Sequence, residues 1–270
     1  MSPPRKKVPE LYVGCVLAGY RLEERLGRGG SAYALRAERI SDRKKVVFKV
    51  IRKRHREQID QHKKLLREGK LMKALDHGRV MPCLDVGVAQ GWSFLVMPYI
   101  EGARMLHEVL NARGSLELDV GIDYGCQILE ALHYVHGRGV VHRDVKPENV
   151  MVDAGGSCYL TDFGLASTPK ERARAQAKAE PRKRVGTDHY RPPEQDRGER
   201  DIDYRADLFS FGVTLHRMLT GGFPAEGAVD ASLPRWVGEM IAYCLAPEPS
   251  DRPPSAWAVW QVLGKSSGQS

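Results

Sequence analysis

A dense group of polar and charged residues interrupts apolar sequence near the middle of the chain. The segment His142–Asn149 carries Asp144, Lys146 and Asn149, and Asp162 follows a short distance later. Valine-rich, strand-forming sequence lies on both sides of this segment. Ionic groups beside apolar strands cost free energy to bury unless they form a site, so we interpret the segment as a reaction centre.

The residue types in this segment match the parts that phosphoryl transfer requires. That reaction uses a carboxylate to orient and deprotonate a hydroxyl, a cation near the transferred phosphate, and oxygen ligands for Mg²⁺. Asp144 can supply the carboxylate, Lys146 the cation, and Asn149 with Asp162 the oxygen ligands. The sequence therefore predicts an enzyme that transfers a phosphoryl group.

Two weaker signals lie nearer the N-terminus. The glycine-rich segment 26–34 would let the backbone approach phosphate oxygens and offer them N–H donors. Lys49 ends an apolar strand, where an ammonium group needs a partner, and Glu68 in the next predicted helix can provide one. Glycine-rich hairpins and Lys–Glu pairs are common in proteins, so neither signal identifies a site by itself.

Strand patterns dominate the first part of the chain and helix patterns the rest. Apolar alternation around Tyr20 and the apolar runs at 46–50 and 92–97 predict an antiparallel sheet, with a helix from 59 to 75. Gly69 lies inside that helix and is expected to cost about 1 kcal/mol relative to alanine. Later helices are predicted at 120–135, 206–219, 233–244 and 256–263. This order predicts an α+β protein of two lobes.

The amino-acid composition limits which kinds of protein and which partners are expected. The 270 residues are 42% hydrophobic with a net charge of +8, and no apolar run approaches the roughly 18 residues of a membrane span. Five dispersed cysteines suit a reducing compartment, so we expect a cytoplasmic protein. Basic residues cluster at 52–56 and 170–184 without interleaved aromatic rings. Nucleic acid is therefore not expected as a partner, whereas an acidic protein substrate would suit the charge.

The chain resembles the protein kinase family over residues 20 to 263. The motifs G-x-G, V-V-F-K, H-R-D-V-K-P-E-N, D-F-G, P-P-E and D-L-F-S-F-G occur in the family's order. The resemblance implies a bilobal protein-kinase-like fold with a small antiparallel-sheet N-lobe (19–97), a hinge (98–102) and a larger, mainly helical C-lobe (103–264). Residues 1–18 would form a loose leader and residues 265–270 a C-terminal tail.

The resemblance also implies ATP and Mg²⁺ as cofactors and assigns roles to residues. Asp144 would be the catalytic base, Lys146 would stabilise the γ-phosphate, and Asn149 and Asp162 would bind magnesium. The nucleotide would contact Leu26, Gly27, Arg28, Gly29, Gly30, Ser31, Ala32, Tyr33, Ala34, Lys49, Glu68, Met97, Pro98 and Ile100.

Features of the resemblance point to a protein Ser or Thr as the acceptor. Lys146 and Thr187, whose hydroxyl would support Asp144, are typical of the serine/threonine branch. Glu194 and Arg252 match a family ion pair, and Asp207 matches the residue that anchors the catalytic loop. The implied partner is a protein substrate.

Departures from the family pattern leave several points open. Ala32 replaces the third glycine of the phosphate loop, and Pro98 stands where the first hinge residue is commonly Glu. Between Gly164 and Gly186 the only hydroxyls are Ser167 and Thr168, of which Thr168 is a candidate for autophosphorylation. The short stretch from 222 to 233 predicts that a helix usual in the family is reduced or missing.

Two other functions compete with an active protein kinase. A pseudokinase would bind nucleotide without turnover, but such relatives usually lose at least one of the residues at 49, 68, 144, 149 and 162, all of which are intact here. A kinase-fold enzyme acting on a small molecule would generally lack the P-P-E motif and the Gly186-Thr187 pair.

Overall fold

The computed structural model describes residues 13–28, 32–51, 58–176, 189–199, 202–225 and 229–266. The chain divides into two compact units. The first comprises the residues up to Asp76 together with Met81–Glu101, and the second comprises His77–Val80 and the chain from Gly102 onward.

The first unit is built on a six-stranded antiparallel sheet with the strand order β1-β2-β3-β4-β6-β5. One buried cluster fills a face of the sheet, and in it Phe48 stacks on Phe94 with ring centroids 5.0 Å apart. The alternation of apolar residues along β4 places Val46, Phe48 and Val50 together on that face. The strands are β1 (Val16–Leu17), β2 (Tyr20–Arg28), β3 (Ala32–Arg39), β4 (Lys45–Ile51), β5 (Asp85–Ala89) and β6 (Trp92–Pro98).

Helix α1 (Ile59–Lys73) packs on β5 and β6 through a face that includes Glu68 and Gly69. A Cβ atom at residue 69 would lie 2.5 Å from Val86 Cγ2 and 2.7 Å from Leu95 Cδ1. The helix-propensity cost of about 1 kcal/mol does not describe the whole effect of Gly69 on stability. The absence of a side chain also allows the helix to approach the sheet closely at this point.

The second unit is mainly helical. Helices α3 and α8 pack together, as do α6 and α7, and the left-handed residue Gly221 ends α6 with a φ of 75°. The helices are α2 (Leu106–Arg113), α3 (Leu118–Gly137), α4 (Pro169–Gln176), α5 (Pro193–Asp196), α6 (Arg205–Thr220), α7 (Arg235–Cys244) and α8 (Ala256–Ser266).

A small three-stranded sheet in the second unit frames the polar segment. Its strands are β7 (Arg104–Met105), β8 (Val150–Val152) and β9 (Cys158–Leu160), in the order β7-β8-β9. The segment His77–Val80 joins this unit because Val80 bridges Leu160 and the amide of Leu160 donates to the carbonyl of Arg79. Hydrophobic periodicity does not reveal that placement.

The α+β architecture predicted from the sequence is confirmed, with an antiparallel sheet unit and a mainly helical unit. The described residues between α6 and α7, 221–225 and 229–234, contain no helix, in agreement with the predicted reduction. No helix in the described part of the chain has the length and apolar character needed to cross a lipid bilayer.

Candidate active site

In the first unit the structure joins Lys49 to Glu68. Lys49 lies on β4 opposite Ala34 of β3 and Leu95 of β6, and its Nζ is 2.7 Å from Glu68 Oε1 on α1. The two side chains are 20% and 6% exposed, so the pair is well shielded from water but open enough to meet a ligand. A paired ammonium group on a rigid strand is suited to binding an anion such as phosphate.

The glycine-rich segment spans the ends of β2 and β3. Gly27 pairs with Ala34 and Arg28 with Tyr33, so these residues, with Leu26 and Ala32, belong to a strand pair rather than to a free loop. Gly29, Gly30 and Ser31 lie outside the described residues.

The predicted hinge begins at the end of β6. Met97 pairs with Val47 and Pro98 with Val46, and Ile100 follows the strand. A proline at the last position of a strand leaves only its carbonyl available to bond, which the ladder tolerates there.

In the second unit the carboxylate of Asp207, on α6, holds the backbone of the polar segment. It accepts the N–H groups of His142 (2.8 Å) and Arg143 (2.6 Å), and Nε2 of His136 donates to it at 2.8 Å. Burial alone would raise the pKa of Asp207, but the hydrogen bond from His136 and the surrounding donors outweigh it and hold the pKa below its ordinary value. Arg143 has a φ of +67°, a strained value for a residue other than glycine that these bonds maintain.

Asp144 lies at the centre of the polar segment. Lys146 Nζ is 2.8 Å from Asp144 Oδ1, and the amide nitrogen of Asn149 donates to Asp144 Oδ2 at 2.8 Å and to its carbonyl at 2.7 Å. The short 3₁₀ turn Pro147–Asn149 brings Asn149 back onto Asp144. The Asp144 side chain is 19% exposed, so an oriented carboxylate remains accessible to a hydroxyl group.

Asp162 is positioned from the same segment. Thr161 donates to the carbonyl of Asn149 from its backbone N–H (2.8 Å) and from its hydroxyl (3.1 Å). Nε2 of His142 donates to the carbonyl of Thr161 at 2.9 Å, and the His142 ring meets Phe163 edge to face. Asp162 itself has a φ of +57°. The residue before Asp162 is thus fixed to both Asn149 and His142.

Asn149 and Asp162 fit Mg²⁺ by their chemistry. With its nitrogen bonded to Asp144, Asn149 keeps its amide oxygen for other partners, and Asp162 provides a carboxylate. Mg²⁺ prefers such oxygen ligands and usually takes one or two from the protein, with substrate phosphates and water completing the shell. Within the described ranges, no group of three or more His, Cys, Asp or Glu side chains is arranged to hold a metal by itself.

A buried ion pair fixes the chain that follows the stretch from Gly164 to Gly186. Arg252 Nη1 and Nη2 donate to the two carboxylate oxygens of Glu194 at 2.6 and 2.8 Å, and both residues are 2% exposed. The Ser210 hydroxyl donates to the carbonyl of Tyr190 at 2.8 Å. Thr187, assigned to support Asp144, lies outside the described residues, as do the basic cluster at 52–56 and residues 177–184 of the second cluster.

The first residues of the stretch from Gly164 to Gly186 are also anchored. Ser167 exchanges backbone hydrogen bonds with Val141 and is 3% exposed. The Thr168 hydroxyl donates to Glu171 at 2.9 Å, and Arg172 Nη1 donates to the carbonyls of Gly139 (3.0 Å) and Ser167 (3.1 Å). Sequence reasoning missed Arg172 and His136, because one lay in a basic run and the other in a helical pattern, and neither signal indicates a tertiary partner.

Comparison of the chain with known proteins finds protein kinases, in the family models and among the similar sequences. A family model described as the protein kinase domain matches residues 20–258. The chain is 34% identical to the serine/threonine-protein kinase pkn3 of Myxococcus xanthus, over 92% of the chain and 50% of the relative. It is 30% identical to a probable serine/threonine-protein kinase of Clostridium acetobutylicum, over 89% of the chain and 39% of the relative. The chain therefore spans half or less of the length of these relatives.

Among solved structures, the chain is similar to the PknI kinase domain of Mycobacterium tuberculosis. The match has a TM-score of 0.75 at 23% identity and covers 95% of this chain and 99% of that one. At this identity the likeness concerns the fold.

Proposed function

Because the chain belongs to the protein kinase family, we propose that it transfers the γ-phosphoryl group of ATP to Ser or Thr hydroxyls of a protein. The observation that carries the proposal is the accessible carboxylate of Asp144, bonded to both Lys146 and Asn149. The catalytic domain proposed for this activity covers residues 19–264.

The residues of the second unit would act on the acceptor. Asp144 orients the Ser or Thr hydroxyl and accepts its proton as the new O–P bond forms. Lys146, held 2.8 Å from Asp144, would stabilise the γ-phosphate during its transfer to that hydroxyl. The anchoring of His142 and Arg143 by Asp207 keeps the Asp144 backbone in place for this step.

The remaining site residues would hold the nucleotide. Lys49, oriented by Glu68, would bind phosphate oxygens, and the glycine-rich segment would supply backbone N–H groups. The amide oxygen of Asn149 and the carboxylate of Asp162 would bind magnesium. ATP would supply the phosphoryl group, the bond between its γ-phosphorus and the bridging oxygen would break so that ADP leaves, and Mg²⁺ would neutralise charge on the phosphates.

A phosphotransfer assay with labelled ATP and acidic and basic generic protein acceptors tests the proposal. We expect transfer by the wild type and a loss of about 10²–10⁴-fold in Asp144→Asn, which keeps the size of the side chain but removes the base. Glu239→Gln, an equally conservative change at an exposed position of α7, is the control and should keep full activity. Equal transfer by wild type and Asp144→Asn would overturn the mechanism, and label on Tyr alone would overturn the acceptor class.

A further inference from the structure

A small cavity beside Asp144 lies within the second unit and has a basic wall. Its volume is about 30 Å³, and its lining includes Asp144, Leu165, Tyr190, Arg191 and Gln195. We propose that Arg191 is a specificity-determining residue that selects an acidic side chain next to the Ser or Thr acceptor. This inference rests on the proposed function, because it concerns the peptide that presents its hydroxyl to Asp144.

The charge at the cavity favours an anion. Arg143 also lines it, so two arginines contribute to the wall beside Asp144, whose own charge is paired with Lys146. The small volume suits a compact group such as a carboxylate and excludes an aromatic ring. An arginine fork recognises a carboxylate with two parallel hydrogen bonds, which gives geometric selectivity as well as attraction.

The ion pair between Arg191 and Asp196 can be exchanged for another carboxylate. Its Nη1 lies 3.4 Å from Asp196 Oδ1, a long contact, and the Asp196 side chain is 58% exposed. Arg191 is only 19% exposed, so a carboxylate entering the cavity would meet it in a more shielded position than Asp196 does. An ion pair with a solvent-exposed partner such as Asp196 contributes little free energy. An ion pair between Arg191 and a substrate carboxylate would be shielded from water, which strengthens the attraction between the charges.

Gln195 adds a neutral polar group at the same place. Its Oε1 is buried, and no hydrogen-bond partner for it is found among the residues that the structure describes. Its Nε2 makes a long contact, 3.4 Å, with the carbonyl of Arg143. The lining therefore places a neutral polar side chain beside the two arginines.

The wall that carries Arg191 is rigid on both sides. The preceding residue, Tyr190, is fixed through its carbonyl by Ser210, and Glu194 is fixed by the buried pair with Arg252. A side chain supported in this way is preorganised to discriminate between ligands.

The test uses two sets of three peptides. In one set Asp, Asn or Lys directly precedes the acceptor Ser, in the other it directly follows, and the peptides are otherwise identical. With wild type, kcat/KM for the Asp peptide should exceed that for the Asn peptide by about tenfold at one of these positions. Arg191→Glu should reverse the order and favour the Lys peptide. Arg197→Gln changes a 49% exposed arginine of the same segment and should leave the preference unchanged.

A structural role for Arg191 would lower activity on all three peptides together, whereas the proposal requires the order of preference to follow the charge at residue 191. If Arg191→Glu fails to fold, Arg191→Gln provides the same comparison and should abolish the preference for Asp. The proposal is overturned if wild type treats the Asp and Asn peptides alike, or if the preference persists in the variant. If wild type phosphorylates the Asn peptide and Asp144→Asn does not, the proposed function is still supported even when the charge preference is absent. If wild type transfers phosphate to no peptide and no protein, the proposed function itself is contradicted.

Discussion

The carboxylate of Asp207 accepts the backbone N–H of Arg143 at 2.6 Å, although the two residues are 64 positions apart in the chain. The bond holds Arg143 at its positive φ, directly before Asp144. A buried aspartate on one helix therefore sets the backbone from which the proposed base projects.

Asp207→Asn should destabilise the protein and lower phosphotransfer. The substitution replaces one acceptor oxygen by an NH₂ group that faces another N–H, leaving buried donors unsatisfied at a cost of about 1–3 kcal/mol. Urea unfolding measures the first effect and the labelled-ATP assay the second. Glu239→Gln is the matched control, and an unchanged free energy of unfolding in Asp207→Asn would contradict the prediction.

The contribution of Asp207 should also depend on pH. Its pKa in the folded protein lies below the ordinary 3.8, because hydrogen bonds from His136 and the backbone outweigh the opposing effect of burial. A carboxyl group with a lowered folded-state pKa stabilises the protein fully above its unfolded-state pKa and loses that contribution as pH falls through the folded-state pKa. The difference in unfolding free energy between wild type and Asp207→Asn should thus be constant near neutral pH and shrink below pH 3.8. A difference that persists undiminished in strong acid would refute this.

The buried pair of Glu194 and Arg252 should show strong coupling in a double-mutant cycle. Removing either partner alone leaves an uncompensated buried charge, so Glu194→Ala and Arg252→Ala should each cost about 3–5 kcal/mol, and the double variant should cost less than their sum. Arg235 and Glu239 form a comparison pair at a similar distance, 2.7 Å, with side chains 91% and 63% exposed. No measurable coupling is expected there. Additive costs at Glu194 and Arg252 would show that the pair does not act as a unit.

Gly69→Ala should destabilise the first unit, whereas helix propensity alone predicts a gain of about 1 kcal/mol. The added methyl group would overlap Val86 and Leu95, and overpacking of this kind costs about 1–3 kcal/mol. Gly137→Ala, in α3, is the control, because an added Cβ there meets no atom within 4 Å. Thermal unfolding of the two variants should therefore shift in opposite directions, and a rise in Tm for Gly69→Ala would disprove the packing argument.

Incubation with ATP should place phosphate on Thr168 and not on Ser167. Ser167 is 3% exposed and its backbone is paired with Val141, whereas Thr168 is partly exposed and its hydroxyl donates to the carboxylate of Glu171. Mass spectrometry of wild type and Thr168→Val distinguishes the two sites, with Asp144→Asn as the inactive control. Phosphate on Ser167, or none on Thr168, would contradict the prediction.

The sequence by itself determined the class of fold, and it predicts the chemistry of the candidate site. Apolar periodicity reports which face of each strand or helix is buried, so the sheet-rich first part and the helical remainder were predictable. The residues at 144, 146, 149 and 162 were recognisable because ionic groups are costly among strand-forming valines unless they form a site.

The family resemblance already implied Asp207 as an anchor of this segment, but only the tertiary structure revealed that His136 and Arg172 hold the backbone around the site as well. His136 and Arg172 looked like ordinary members of a helix and a basic run, and their partners Asp207 and Gly139 are set by packing. The sign of the effect at Gly69 likewise depends on two strand side chains that the helical pattern does not contain. Local sequence encodes periodicity and residue chemistry, whereas hydrogen bonds and close contacts between remote segments exist only once the chain has folded around them.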